Sequence, residues 1–133
     1  MGIRKKLPKS QELAYTLKVK EAMCTNVVKV KPETTIRKLR TILKKNAISG
    51  APVVEKGKVV GIISIEDLIK CLVNGETEAK VKDKMTKNVS VCNPEEPLSR
   101  AIQIFERTGY GRLPVVEKNS FKLVGILTKS DIV

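Results

Sequence analysis

The chain has 133 residues, 41% of them hydrophobic, with two Phe, two Tyr and no Trp, so its core must be built mainly on Val, Ile and Leu. It contains no His, which excludes Ser-His-Asp and Cys-His catalysis and every His-containing metal site. Against 14 Asp and Glu stand 26 Lys and Arg, a net charge of +12 that favours anionic partners without choosing among nucleic acid, membrane and phosphorylated metabolites.

The chain opens on a basic lead-in, residues 1–18, with a weak helical pattern at Leu13, Ala14 and Leu17. Met1-Gly-Ile-Arg-Lys-Lys6 is followed by no apolar run, so it does not read as a secretory signal. Lys6 stands where a myristoylation frame beginning at Gly2 needs Ser or Thr. No stretch approaches the roughly 18 apolar residues of a membrane span. Cys24, Cys71 and Cys92 lack CxxC spacing and read as small fillers in a reducing compartment. Together these features point to a soluble cytoplasmic protein.

From Val19 onward the sequence repeats. A shift of 62 positions aligns Val19–Lys56 with Val81–Lys118 and makes 13 of 38 positions identical. They include Val19/Val81, Lys20/Lys82, Met23/Met85, Pro32/Pro94, Glu33/Glu95 and the run Pro52–Lys56 with Pro114–Lys118. Two extra residues then move the offset to 64, so that Gly61, Ile62 and Asp67 meet Gly125, Ile126 and Asp131. The expected organisation is repeat 1 at 19–73, a polar connector at 74–80 and repeat 2 at 81–133. So small a unit struggles to bury its apolar face alone, so the copies should pack on each other.

In repeat 1, Asn26–Val30 reads as a short extended stretch ended by Pro32. Ile36, Leu39, Ile42 and Leu43 then recur at helical spacing, with Thr34 as the expected N-cap and an end near Asn46. Ala51–Val54 and Lys58–Ile63 are β-branched runs joined by a tight turn at Lys56-Gly57. A closing helix begins at Ser64 and runs to about Val73. Repeat 2 follows the same plan: Asn88–Cys92 extended, then a helix with Leu98, Ala101, Ile102 and Phe105 inward, Pro97 in its first turn and an end near Gly109. Strands at Leu113–Val116 and Lys122–Leu127 and a helix from Thr128 complete it. The order is β-α-β-β-α twice, an α/β (α+β) fold of two repeats packed with pseudo-two-fold symmetry. Repeat 2 stops at Val133, short of the counterparts of Leu68, Ile69, Leu72 and Val73. The chain is therefore expected to be a piece of a longer one, or to carry an abbreviated last helix.

Chemistry concentrates in Gly61-Ile-Ile-Ser64-Ile-Glu-Asp67 and Gly125-Ile-Leu-Thr128-Lys-Ser-Asp131. Each has a glycine inside an apolar strand, a hydroxyl at the strand-to-helix turn and a carboxylate three residues on. S/T-x-x-D is also a relative of the capping box, so either turn can be a simple helix cap. A glycine weakens such a strand unless another backbone or a ligand approaches closely. Free amides at a helix start attract phosphate, and a carboxylate there can accept two hydrogen bonds from a ribose diol. Hydroxyl, amides and carboxylate together suit a nucleoside phosphate. Nothing nominates a nucleophile or a matched acid–base pair, so no enzyme, catalytic cofactor or metal is expected.

The ordered set formed by Val19-Lys-Glu-Ala-Met23 and Val81-Lys-Asp-Lys-Met-Thr86, the Ala51-Pro-Val-Val54 and Leu113-Pro-Val-Val116 strands and the two turns resembles a tandem pair of cystathionine-β-synthase-type (CBS) domains, or Bateman module. The resemblance covers about residues 19–133. It implies a regulatory module that binds an adenosyl ligand, AMP foremost, otherwise ADP, ATP or S-adenosylmethionine, in clefts between the repeats. By position, Asp67 and Asp131 would hold ribose, and Ser64 and Thr128 would meet ribose or α-phosphate. One cleft would join Ser64 and Asp67 to Asn88, Val89, Leu113 and Pro114; the other would join Thr128 and Asp131 to Asn26, Val27, Ala51 and Pro52, these strands forming the adenine slot. Arg112 would supply a phosphate-binding cation to the Asp67 cleft. Gly50 takes its place in repeat 1, so the resemblance implies unequal sites, with the Asp67 cleft tighter for phosphorylated ligands. It also implies a homodimer through the helices and a regulated effector protein or domain. Two other readings remain open. One is a nucleic-acid-binding module using Lys44, Lys45, Lys80, Lys82, Lys84 and Lys87, although no aromatic residues interleave them. The other is a purely structural dimerisation module.

Overall fold

The computed structural model describes residues 17–132; the helical pattern expected at Leu13 and Ala14 lies outside them. In chain order the elements are α1 (Val19–Ala22), α2 (Ile36–Asn46), β1 (Gly50–Glu55), β2 (Lys58–Ser64), α3 (Ile65–Val73), α4 (Val81–Lys84), α5 (Leu98–Thr108), β3 (Arg112–Val116), β4 (Leu123–Thr128) and α6 (Lys129–Ile132). Mixed helix and strand is as expected. The described residues fall into two compact units. A central unit holds 27–89 with 121–123, and a flanking unit holds 17–26, 90–120 and 124–132.

The central unit is organised by the β1–β2 antiparallel hairpin, whose register runs from Gly50 opposite Ser64 to Glu55 opposite Lys58. Lys56 (φ 53°) and Gly57 (φ 81°) both take the left-handed conformation that a two-residue turn demands, at the position the sequence marked. The expected stretch before it narrows to a single parallel bridge. Val30 N–H donates to Pro52 O at 3.0 Å, and Val54 N–H donates to Val30 O at 2.9 Å. Pro32 lies two residues on without an N–H to extend the pairing.

The cap of α2 corrects the sequence reading by one residue. Thr35, not Thr34, is the N-cap, its Oγ1 accepting from Lys38 N–H at 3.2 Å. The Thr34 hydroxyl is used one turn earlier, accepting from Lys31 N–H at 3.3 Å. The helix ends where expected: Ala47 at φ 53° returns its N–H to the carbonyls of Leu43 and Lys44. Ile36, Leu39 and Leu43 from α2, Ala51, Val53 and Ile63 from the hairpin, Leu68 and Cys71 from α3, and Val30 and Val81 make the core.

The flanking unit repeats this plan. β3 pairs with β4, Cys92 bridges to Val115 in parallel, and α5 runs from its N-cap Pro97 to Gly109 at φ 76°. Leu98, Ala101, Ile104 and Phe105 pack on Leu113, Val115 and Leu127, with Val19 and Cys92 completing the core. Burial pushes the Cys92 thiol up to about 12.

The units cut across the repeats. The opening helix of repeat 1, α1, is part of the flanking unit, and that of repeat 2, α4, is part of the central unit. Both are held alike. Val19 and Lys20 donate N–H groups to Glu96 O (2.9 Å) and Pro94 O (3.0 Å), while Val81 and Lys82 donate to Thr34 O (2.8 Å) and Pro32 O (3.0 Å). Lys18 and Lys20 flank Glu95 at 3.0 Å each, and Lys80 and Lys82 flank Glu33 at 2.8 and 3.1 Å. Hydrogen bonds from these lysines hold both carboxyls below the ordinary glutamate value. The ion contacts are exposed and screened, so the burial of Val19 and Val81, each 0% exposed, is the stronger tether, about 1.5–3 kcal/mol for a valine side chain.

Candidate functional site

In each strand-to-helix turn the carboxylate reaches back to the main chain, and in the first the turn is a complete helix cap. Ser64, at the end of β2, has extended backbone (φ −111°, ψ 167°) and caps α3. Its Oγ accepts from Asp67 N–H at 3.3 Å; Asp67 Oδ2 in return accepts the Ser64 N–H at 3.0 Å and the Ser64 hydroxyl at 2.9 Å. The first helical amide, Ile65 N–H, donates to Ser49 O at 2.8 Å. Ser64 and Asp67 are both half-buried.

The second turn has the same frame with a different hydroxyl. Asp131 Oδ2 accepts Thr128 N–H at 2.9 Å, and Lys129 N–H donates to Gly111 O at 3.1 Å. Thr128 Oγ1, however, lies 2.9 Å from Ser130 Oγ. The Asp131 cap is thus built on a main-chain donor, the Asp67 cap on a main-chain donor and a hydroxyl. A carboxylate offers roughly four acceptor positions, so neither cap exhausts it.

The glycines have a packing explanation. A Cβ at Gly61 would fall 2.4 Å from Met85 Sδ and 3.0 Å from the main-chain oxygen of Thr86. One at Gly125 would fall 2.6 Å from Met23 Sδ and 3.0 Å from Cys24 O. Another main chain thus approaches each glycine closely, which is one of the two partners the sequence allowed for a strand glycine. Met23 and Met85 were visible as identical positions of the repeat, but no pattern rule ties them to a glycine 102 and 24 residues away, respectively.

Arg112 opens β3 and is half-buried. Burial pushes its guanidinium down from the usual value, and the Asp131 carboxylate acts in the opposite sense. The arginine and that carboxylate therefore share a neighbourhood within the flanking unit. Gly50 holds the corresponding place in β1, opposite Ser64. Among the expected adenine-slot residues, Ala51, Pro52, Leu113 and Pro114 are buried in their own units. Pro52 O and Pro114 O already accept from Val30 and Cys92. Asn26 and Asn88 are exposed, Val27 and Val89 half-buried. Asn88 and Val89 belong to the same unit as Ser64 and Asp67, and Asn26 to that of Thr128 and Asp131. Among the described residues no cluster of Cys, Asp and Glu could hold a metal ion, and no helix is long and apolar enough to cross a membrane.

The family model for the CBS domain matches residues 19–74 and again 81–133. The chain belongs to the CBS-domain family. Among its relatives is the uncharacterized protein MJ1232 of Methanocaldococcus jannaschii, 34% identical over 116 residues, or 87% of this chain and 38% of that protein. This CBS chain thus spans well under two thirds of that relative's length. Two solved CBS-type structures superpose closely. The CBS domain pair of protein MJ0100, in complex with 5′-methylthioadenosine and S-adenosyl-L-methionine, is 28% identical with a TM-score of 0.79, covering 87% of this chain and 92% of that one. CBSX2 in complex with AMP is 28% identical with a TM-score of 0.77, covering 86% and 92%. The fold is that of a CBS-domain pair.

Proposed function

We propose that the chain is a regulatory module that binds an adenosyl ligand at its two hydroxyl–carboxylate turns and does not transform it. The observation that carries this reading is the likeness, at 28% identity over most of both chains, to CBS pairs that hold AMP in one case and S-adenosylmethionine with methylthioadenosine in the other. The local chemistry supports it. Asp67 can accept a ribose hydroxyl while Ser64 N–H keeps its place on Oδ2, because the remaining acceptor positions point elsewhere. The Ser64 hydroxyl, which now donates to Asp67, is then free to turn toward the ligand. Asp131 and Thr128 repeat the arrangement with a hydroxyl already off the carboxylate. Arg112 supplies a cation for phosphate, which makes AMP the first candidate ligand. Switching follows if the ligand prefers one conformation, by no more than its differential affinity for the two.

Thermal denaturation with AMP, ADP, ATP, S-adenosylmethionine and adenosine tests the reading. A ligand at 100-fold its dissociation constant stabilises by about 2.7 kcal/mol. Asp67→Asn and Asp131→Asn keep a side-chain acceptor for the cap but remove the charge, so each should lower ligand affinity with little change in the unliganded melting point. Arg112→Gln should weaken AMP while leaving adenosine alone. No shift with any of the five ligands refutes the proposal.

A further inference from the structure

The tip of the β1–β2 hairpin in the central unit carries a feature that neither the packing nor the adenosyl reading uses. Phe121 is 42% exposed and has φ 63°, the left-handed conformation that a bulky residue rarely adopts. At the repeat offset of 64 its counterpart is Gly57, which takes the same conformation at φ 81°. Glycine accepts that backbone without strain, so repeat 2 holds a strained, solvated aromatic at a place that repeat 1 fills with glycine. Phe121 is fixed there by its main chain. Its carbonyl accepts Val59 N–H at 3.1 Å, and Leu123 N–H donates to Gly57 O at 3.0 Å. The side chain belongs to neither core, and what it offers is an exposed flat face.

The surroundings of that face are cationic. The same two hydrogen bonds flank the antiparallel bridge between Lys58 and Lys122 and make them a non-hydrogen-bonded pair, the arrangement in which facing side chains stand closest. Like charges placed directly opposite repel. The Lys122 stem runs along the turn, its Cγ and Cε 3.7 and 3.8 Å from where a Gly57 side chain would begin. Lys56, the other residue of the turn, is exposed and has φ 53°. Against these three lysines stands Glu55, in register opposite Lys58, so the tip keeps an excess of positive charge in a chain at +12. Lys80, Lys82 and Lys84, which the sequence offered for nucleic acid, are instead ion-paired with Glu33 and Glu76. A ligand that answers both features carries closely spaced anions and a flat apolar face. A lipid headgroup has the charge without the flat face, and a duplex keeps its base faces in the stack. An unpaired strand presents both, its backbone to lysines and its bases to an aromatic ring. We propose that the hairpin tip binds single-stranded nucleic acid, a base stacking on Phe121 and the flanking phosphates meeting Lys56, Lys58 and Lys122. None of these residues belongs to either hydroxyl–carboxylate turn, so the proposal and the adenosyl reading stand or fall separately.

Fluorescence anisotropy on the full 133-residue chain tests this with a fluorescein-labelled thymidine strand of about twelve nucleotides, which offers no adenine to the two turns. Binding should saturate at about 0.1 M salt and weaken with a log–log slope of about −2, three phosphate contacts at about 0.7 each. Phe121→Gly suits the left-handed backbone, so it should hold the melting temperature while weakening the strand roughly tenfold or more. Lys58→Gln with Lys122→Gln should weaken it similarly and reduce the slope to about −0.7. Lys44→Gln with Lys45→Gln, on α2, should leave the affinity within about threefold at that screening. Unchanged affinity in Phe121→Gly, an abasic strand that binds as tightly, equal losses from the two lysine pairs, or no saturable binding overturns the proposal. So does binding to phosphatidylserine vesicles that Phe121→Gly abolishes while the strand does not bind, since the tip is then a membrane contact.

Discussion

Gly61→Ala separates the packing account of the strand glycines from a ligand account. The new methyl would sit 2.4 Å from Met85 Sδ, 2.9 Å from its Cγ and 3.0 Å from Thr86 O. The methionine can swing away at the expense of its packing against the central core. The carbonyl cannot move freely, because Ile62 N–H donates to Thr86 O and Thr86 N–H donates to Ile62 O, both at 2.9 Å. Overpacking of this kind costs about 1–3 kcal/mol, and each hydrogen bond lengthened adds up to about 1 kcal/mol. Reduced freedom of the unfolded chain returns about 0.4–1 kcal/mol. The net destabilisation is about 2–3 kcal/mol, read as a lower urea midpoint in the absence of ligand. Met85→Ala in the same chain removes two of the three close contacts, so the double variant should be more stable than the two single losses summed, by about 1 kcal/mol. A Gly61→Ala protein within about 0.5 kcal/mol of the parent would refute the reasoning and return the glycine to a ligand role.

Other consequences are as direct. Cys24 is exposed while Cys71 and Cys92 are buried, so a thiol reagent at mildly alkaline pH should label Cys24 first, with the other two reacting only on unfolding. The Cys92 thiol is raised from 9.0 to about 12, so the folded state holds a proton that the unfolded chain releases. The stability tied to it is complete below pH 9 and is lost as pH climbs from 9.0 toward about 12; Cys92→Ala should flatten that part of the stability–pH curve. A peptide of residues 27–89 contains Val81, Met85 and the Lys80 and Lys82 partners of Glu33, whereas residues 19–74 lack them all. The first should melt cooperatively at a higher temperature than the second by circular dichroism, and the reverse order would contradict the assignment of α4 to the central unit.

Much of this was readable from local pattern. The turn at Lys56-Gly57 follows from a residue that tolerates positive φ between β-branched runs, and the ends of α2 and α5 from Asn46 and Gly109. The cap of α2 slipped by one because Thr34 and Thr35 are chemically alike, and the choice was made by Ile36 N–H reaching Ala79 O 43 residues away. Val30 and Cys92 became single bridges because the neighbouring prolines allow no further ladder. The exchange of α1 and α4 was not legible. Periodicity tells which face of a segment is apolar, not which core receives it, and a four-residue helix with one buried valine has little periodicity to read.

The exchange also explains why the repeat is so visible. Val19/Val81, Lys20/Lys82, Pro32/Pro94 and Glu33/Glu95 build the same joint once in each unit, and Met23/Met85 with Gly125/Gly61 build the same close contact once in each. These identities are therefore accounted for by packing, and the Asp67 and Asp131 carboxylates have a capping role, before any ligand is invoked. What packing leaves unexplained is where the copies differ at the turns: arginine against glycine at the head of the strand, and a hydroxyl on its carboxylate at Ser64 but on a neighbouring serine at Thr128. Burial pushes the Arg112 guanidinium down while the Asp131 carboxylate acts in the opposite sense, and repeat 1 has a glycine in that place. Under the proposed function that difference predicts unequal affinity of the two turns for a phosphorylated ligand, read by comparing AMP titrations of Asp67→Asn and Asp131→Asn.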